Sequence, residues 1–474
     1  MSILKKQAFL LLALHMFARL AVAHDHHDEN IPKGSAISDE PIDAILWIHI
    51  FMMIITFGII FPTGMVLGMT RSRWHVPVQI VGTCLAIVGW FLGHAHKGRQ
   101  FAPNIHSYFA STLMGMLAKQ VAIGVYLKLH LEKGFHGKIR WFFVRLHGIT
   151  GKLMPIVAWT QMLFGAVTAA GICRGDHLGQ CVSHFALGSS LIAYGIIMNI
   201  FLLAGRQWLK RRQKTQEFWD SLVIAVWGFF ITFTGHWWGS EWTGSDIQFT
   251  ATGLLWWCAG MVGLWLSFGP DRGPRRNIIP ALVIFLTGFA MSSWHPKEDN
   301  VSTVVYSAFG YSLMAAGLAR VVEITFLLKD RVSLPRGGIS SFQYLPSFFL
   351  FSSGFIFHGA TEEQLGLLRA SKFDEVSYLL LMFSVSFLVF LLSLVLINMY
   401  VRNRPGPSSK RARAVPSIRI THDEERARRS EDRQIADANE FELEELVSEE
   451  EEEARRLVPV THDSEGLKGG PSRS

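Results

Sequence analysis

The sequence predicts an all-α polytopic membrane protein of about eleven transmembrane helices, on three observations. Half of the 474 residues are hydrophobic and 18% are charged, below the roughly 25% charge usual for soluble domains. Apolar runs recur from residue 45 to residue 400, each approaching the ~20 residues that a hydrocarbon core of about 30 Å demands. Lys and Arg gather in alternate connections, the asymmetry that orients membrane proteins. The net charge of +7 is thereby assigned to topology, and no nucleic-acid partner is needed to explain it.

The first element is not a span. Lys5 and Lys6 precede a short apolar stretch, residues 8–20, which ends in the small-x-small pattern Ala21-Val22-Ala23. Such a run is too short to cross and reads as a signal peptide, residues 1–23, cut after Ala23; an uncleaved anchor is the other reading. Residues 24–44 become an outer leader. Its new N-terminus, His24-Asp25-His26-His27, offers a free amine, two amides and a third-position imidazole to square-planar Cu or Ni. His24 and His26 are thus candidate metal ligands, against the plainer reading of a polar leader with incidental histidines.

The spans then follow in two groups. The first covers residues 46–69, 75–92, 105–127, 146–170 and 184–203. The second covers 219–234, 250–268, 278–294, 301–328, 345–357 and 376–400. With the N-terminus outside or lumenal, the inner connections hold Arg71 and Arg73, Lys133 to Arg145, Arg206 to Lys214, Arg272 to Arg276, and Lys329 to Arg336. Outer connections are poorer in cations, and the C-terminus lies in the cytosol. The domain order is therefore 45–204 as a first membrane module, 205–217 as a basic cytosolic linker, 218–400 as a second module and 401–474 as a polar tail whose composition predicts disorder. No internal repeat is evident. The protein is expected in a membrane of the secretory pathway, plasma membrane or endomembrane, with lipid as its constant partner.

Four cysteines divide into Cys84 and Cys258 within apolar helices, and Cys173 and Cys181 in one short loop. If that loop faces the oxidising side a disulfide can form there; two reduced thiols are the alternative.

Histidines supply the chemistry. His49 begins span one outside, His75 span two inside, His106 span three outside and His147 span four inside. Two depth-matched pairs result, His49 with His106 and His75 with His147. A six-coordinate haem needs two axial nitrogens at one depth on separate helices, with the macrocycle among apolar side chains. Glycines on the same four helices, Gly64, Gly68, Gly89, Gly124 and Gly165 among them, leave room for a planar group or a close helix approach. The competing reading makes the histidines interfacial anchors, like Trp47, Trp74 and Trp141.

Four segments bear on that choice: WIHIFMMIITFGIIFPTGMVLGM from Trp47, RSRWH from Arg71, NIH from Asn104 and HGITGK from His147. They resemble the four-helix core of the cytochrome b-561 family. The resemblance implies two b-type haems, the outer held by His49 and His106 and the inner by His75 and His147. A wider set, GHAHKGRQF from Gly93, CRGDHLGQC from Cys173, GYSLMAAGLARVVEI from Gly310, SFQYLP from Ser341 and ATEEQ from Ala360, resembles the fungal Ytp-type integral membrane proteins across residues 40–400. That family joins such an N-terminal module to a second membrane module. The chain departs from it in carrying Gly235 and Phe249 where an acid and a histidine are expected.

Around this core, Arg71, Arg73, Lys138, Arg140, Arg145 and Lys152 make a basic rim suited to a small anionic reductant at the cytosolic face, although orientation alone accounts for most of them. His94 and His96, with Lys97 and Arg99, follow span two near the outer pair and offer a metal site or a landing point for a ferric chelate or oxidised organic anion, against the plainer reading of a solvated loop; His184, His236, His295 and His358 fall near the outer face as interfacial residues or a second metal site. In the second module Arg320 and Glu323 sit three residues apart within a span, where an ion pair lessens the cost of burial. Two functional classes follow: a transmembrane oxidoreductase passing single electrons from a cytosolic donor to an outer or lumenal acceptor, or a non-redox transporter, receptor or scaffold on the same fold.

Overall fold

A computed structural model describes residues 31–403, except 33, 130–134, 235, 237–240, 269–272, 294–298, 330–337 and 372. The expected signal peptide, His24, His26, His295, Gly235 and the C-terminal tail lie outside the described residues. Among the described residues, every apolar run expected to span is helical, and nine helices are long and apolar enough to cross a membrane. The protein is an all-α integral membrane protein.

The N-terminal bundle is formed by α1 (Ala44–Met69), α2 (His75–Ala95), α3 (Ile105–Lys128) and α4 (Phe135–Ala170). Polar residues set the starts: the side chains of Asp43 and Asn104 accept from the backbone N–H of Leu46 and Ser107, each at 2.9 Å, satisfying donors that a helix start leaves open. A π-helical turn, Thr56–Ile60, interrupts α1 and adds one residue to its register. The helices pack as two hairpins, α1 on α2 and α3 on α4. Between the hairpins at mid-depth lie Phe57, Phe61, Ala86, Leu113, Leu117, Met154 and Ala158, all buried.

The C-terminal helices are α5 (Leu178–Leu203), the short basic α6 (Arg206–Arg212), α7 (Gln216–Thr234), α8 (Gly244–Leu266), α9 (Ile279–Ser292), α10 (Asn300–Leu328), α11 (Leu345–His358), α12 (Glu362–Ala370) and α13 (Glu375–Asn403). Helix α5, fifth in the sequence grouping, packs on α11 and α13. Two of the eleven expected spans, α9 and α11, have only 14 residues each, about 21 Å at 1.5 Å per residue. That is short of the ~30 Å core. For α11 the reason is position: it packs on α5, α10 and α13, with Phe351 and Ile356 fully buried, so it has little lipid to match. Its Phe-rich sequence makes the module's centre.

Close helix crossings in this half rest on small residues. Where α9 crosses α10, a Cβ on Gly310 would stand 2.5 Å from the Gly288 carbonyl oxygen, and one on Gly288 2.5 Å from that of Gly310. Both obstacles are backbone. Gly310→Val is therefore expected to lower the thermal midpoint of the detergent-purified protein, at a cost of about 1–3 kcal/mol or more. Gly115→Ala, where nothing lies within 4 Å, serves as the unperturbed control; equal midpoints would show that the α9–α10 crossing tolerates separation.

Candidate functional site

The four histidines meet in the expected pairs. His49 and His106 stand with ring centres 6.4 Å apart and planes at 87°. His75 and His147 repeat the arrangement at 6.4 Å and 89°. The pairs occupy opposite ends of the bundle.

Three of the rings are held by hydrogen bonds to a neighbouring helix. His49 Nδ1 donates to the Gly89 carbonyl and His75 Nδ1 to the Gly64 carbonyl, both at 2.7 Å. The exchange is reciprocal within the α1–α2 hairpin. In the α3–α4 hairpin, His106 Nδ1 lies 3.2 Å from the Gln161 backbone carbonyl oxygen and 3.0 Å from the Gln161 side-chain amide nitrogen. The Gln161 and Gln120 amides donate to the backbone carbonyls of His106 and His147, each at 2.9 Å. Gln120 also accepts from Thr150 Oγ1. An imidazole whose Nδ1–H is fixed on a carbonyl presents Nε2 as its free donor atom.

Glycines make room beside every ring. A Cβ on Gly93 would lie 2.7 Å from His49, on Gly68 2.9 Å from His75, on Gly165 3.0 Å from His106 and on Gly124 3.3 Å from His147. These contacts reveal a fourfold repeat that reading along the chain does not find. His75, His106 and His147 are each followed fourteen residues later by Gly89, Gln120 or Gln161, and four further on by Gly93, Gly124 or Gly165. His49 reaches Gly64 and Gly68 one residue late, the offset being the π turn of α1.

At the His75–His147 end, a small cleft opens between the helices, lined by Phe61, Gly68, Gln79, Gly151, Lys152 and Met154 besides the two histidines. The expected basic rim is partly committed elsewhere: buried Arg140 donates to the Leu127 carbonyl at the end of α3, at 2.9 Å, and Arg145 lies 3.9 Å over the Trp141 ring.

The His49–His106 end is covered by the leader. Ile37 forms an antiparallel bridge with Phe101, and Ser38 Oγ accepts from the Gln100 N–H at 2.9 Å. Arg99 donates to the carbonyls of Glu40 and Ala169. Asp43 accepts from the Lys97 N–H at 3.0 Å, and the N–H groups of Lys97 and Leu46 hold its carboxyl below the usual aspartate range. Beside this cover, Cys173 and Cys181 form a disulfide with Cα atoms 5.6 Å apart. Glu363 accepts from the Cys173 N–H at 2.6 Å.

The other described histidines make separate contacts. His184 and His358 are buried inside the C-terminal helices, not interfacial. His184 Nε2 lies 3.0 Å from the Tyr306 hydroxyl, and its ring stacks on Phe357 at 4.2 Å. His358 Nε2 lies 3.1 Å from Ser189 Oγ. His236 stacks on Trp242 and pairs with Asp246 at 3.2 Å, and His94 Nδ1 donates to the Trp90 carbonyl of its own helix. Among the described residues these histidines share no common centre.

Fold and site together define a polytopic α-helical membrane protein in which two histidine pairs are built into one bundle. Residues 157–401 match the family described as protein YTP1-like, C-terminal, and residues 29–130 match a domain of unknown function, DUF2427. The chain belongs to the YTP1-like family of membrane proteins. It is 38% identical to protein YTP1 of Saccharomyces cerevisiae over 252 residues, 52% of this chain and 53% of that protein, so the match spans about half of the relative's length. An uncharacterized membrane protein of Schizosaccharomyces pombe is 23% identical over 470 residues, covering 73% of this chain and 91% of its own. No solved structure matches the chain.

The leader's anchorage is open to a pH test. A carboxyl held below its ordinary value in the folded state contributes stability above the unfolded value, and that contribution disappears as pH falls through the folded one. Asp43→Ala is therefore expected to melt at a lower temperature than the native protein at neutral pH. The gap should narrow as pH drops below the ordinary aspartate value of 3.8. A gap independent of pH would assign the effect to helix capping alone.

Proposed function

We propose that the protein is a two-haem transmembrane one-electron carrier, moving electrons from a cytosolic donor to an outer or lumenal acceptor. The observation that carries this reading is the spacing of the two pairs, 6.4 Å between ring centres in both. Two metal–imidazole bonds of about 2.0 Å, with about 1.1 Å from each Nε2 to its ring centre, separate axial imidazoles by about 6.2 Å. Hydrogen-bonded pairing of the rings would bring them closer, and accidental neighbours would not repeat the same figure twice. The glycine beside each ring adds the clearance that a macrocycle edge requires, and the b-561-like motifs agree with the assignment.

In this reading His49 and His106 hold the outer group, and His75 and His147 the inner one. Haem, when bound, supplies a one-electron couple at each end of the bundle. The chain supplies the rest. Carbonyls of Gly89 and Gly64 fix ring orientation and make the imidazoles stronger ligands. Phe57, Phe61, Leu113 and Leu117 exclude water from the middle of the bundle, lowering the local dielectric. The Lys152 ammonium in the lining of the inner cleft favours an anionic reductant on that side.

Orientation follows from two supports. The basic connections cluster at the His75–His147 end, as cytosolic loops do. The Cys173–Cys181 disulfide sits at the His49–His106 end, and disulfides persist in oxidising compartments. The N-terminus is then outside or lumenal, after passage through the secretory pathway, and the C-terminus cytosolic.

Protein expressed with ample haem, purified and placed in vesicles loaded with ascorbate should show a b-type reduced-minus-oxidised spectrum and reduce external ferricyanide. His106→Ala and His147→Ala should each remove about half of the haem absorbance and stop the transfer. Native protein without a b-type signal would sink the proposal.

A further inference from the structure

The C-terminal helices enclose a charged cluster that electron transfer does not use. Glu217 and Asp220 lie in the first turns of α7, Arg276 just before α9, Arg320 in α10, and Glu323 at the start of the π turn that ends α10. Glu217 is fully buried; its Oε1 accepts from Arg276 Nη1 at 2.6 Å and from Arg320 Nη2 at 2.8 Å. Arg320 Nη1 donates to Glu323 at 2.5 Å, and Gln343 Nε2 donates to the other Glu323 oxygen at 3.0 Å. Asp220, also buried, accepts from the Tyr194 hydroxyl of α5. These groups lie at the end of the bundle opposite the disulfide.

Among the described residues the charges of this cluster do not balance. Two guanidiniums, which proteins do not deprotonate, face three carboxylates, and an uncompensated buried charge is expensive. Both arginines bind Glu217 and one also binds Glu323, while Asp220 takes its hydrogen bond from the neutral Tyr194. The second Glu217 oxygen, Oε2, has no partner among the described residues. A metal cation would need several oxygen ligands, more than Asp220 and this lone Glu217 oxygen supply. A proton needs one.

We propose that Asp220 is a proton-binding site, and that its occupancy sets the charge of the cluster tying α7 to α10. The groups facing it are Tyr194 from α5, Glu217 from its own helix, Arg276 from the segment before α9, and Arg320 with Glu323 from α10. The bound proton makes the cluster neutral. Its release leaves a negative charge that competes with Glu217 and Glu323 for Arg320. The C-terminal half thereby holds a protonatable switch whose ligand is one proton, independent of the haem reading.

Infrared difference spectroscopy of the full-length protein in nanodiscs at neutral pH tests this. The native spectrum minus that of Asp220→Asn should contain one deuterium-sensitive carboxylic-acid carbonyl band, unchanged when sodium is added at constant pH. Arg276→Gln, with one cation fewer, should show a second band. Tyr194→Phe, which keeps the ring and removes the hydroxyl, should shift the first band without abolishing it. A band that sodium bleaches would assign the site to a metal cation and overturn the proposal, as would a spectrum that neither Asp220→Asn nor Tyr194→Phe alters.

Discussion

The N-terminal bundle is organised by an exchange of hydrogen bonds between imidazoles and the backbone of the neighbouring helix. His49 reaches Gly89 while His75 reaches Gly64, so fixing one ring fixes the depth of the other helix. The α3–α4 hairpin achieves the same register through Gln120 and Gln161. In the membrane interior no water competes for these groups. The register between helices is consequently tied to the positions of the histidines, and the remaining packing accommodates it: a glycine beside each ring and an apolar layer at mid-depth.

Much of this was legible in the sequence. The positions of the four spans, the alternation of the four histidines and their pairing all follow from apolar runs and the requirement of common depth. The repeat was not, because the π turn in α1 displaces Gly64 and Gly68 by one residue, and because two helices use glutamine where two use glycine. Searching each histidine for a small or amide residue fourteen or fifteen positions later would have found it. Gly93, Gln120 and Gln161 were missed for that reason.

The C-terminal half was read less well because its determinants are tertiary. Sequence placed Arg320 beside Glu323, but the partners that complete the cluster, Glu217, Asp220, Arg276 and Tyr194, are up to 129 residues away from Glu323 in the case of Tyr194, on separate helices. His184 and His358 looked interfacial by depth along their helices, yet α11 is enclosed by its neighbours and carries both contacts inward. Segment α11 has the short length that its apolar run predicts, 14 residues, and protein rather than lipid surrounds it. In both halves buried ionisable groups are anchored to other helices: His49 and His75 to backbone carbonyls, Arg320 to Glu217 and Glu323, as the cost of intramembrane charge requires.

The most direct measurement of the central claim is electron paramagnetic resonance of the oxidised, haem-replete protein, combined with its iron content. If the proposed haems bind between these rings, imidazoles crossed at 87° and 89° would leave two iron d orbitals nearly degenerate. The account predicts two irons per chain with strongly anisotropic low-spin ferric signals. A high-spin five-coordinate signal, the rhombic spectrum of parallel imidazoles, or an absence of iron would contradict it.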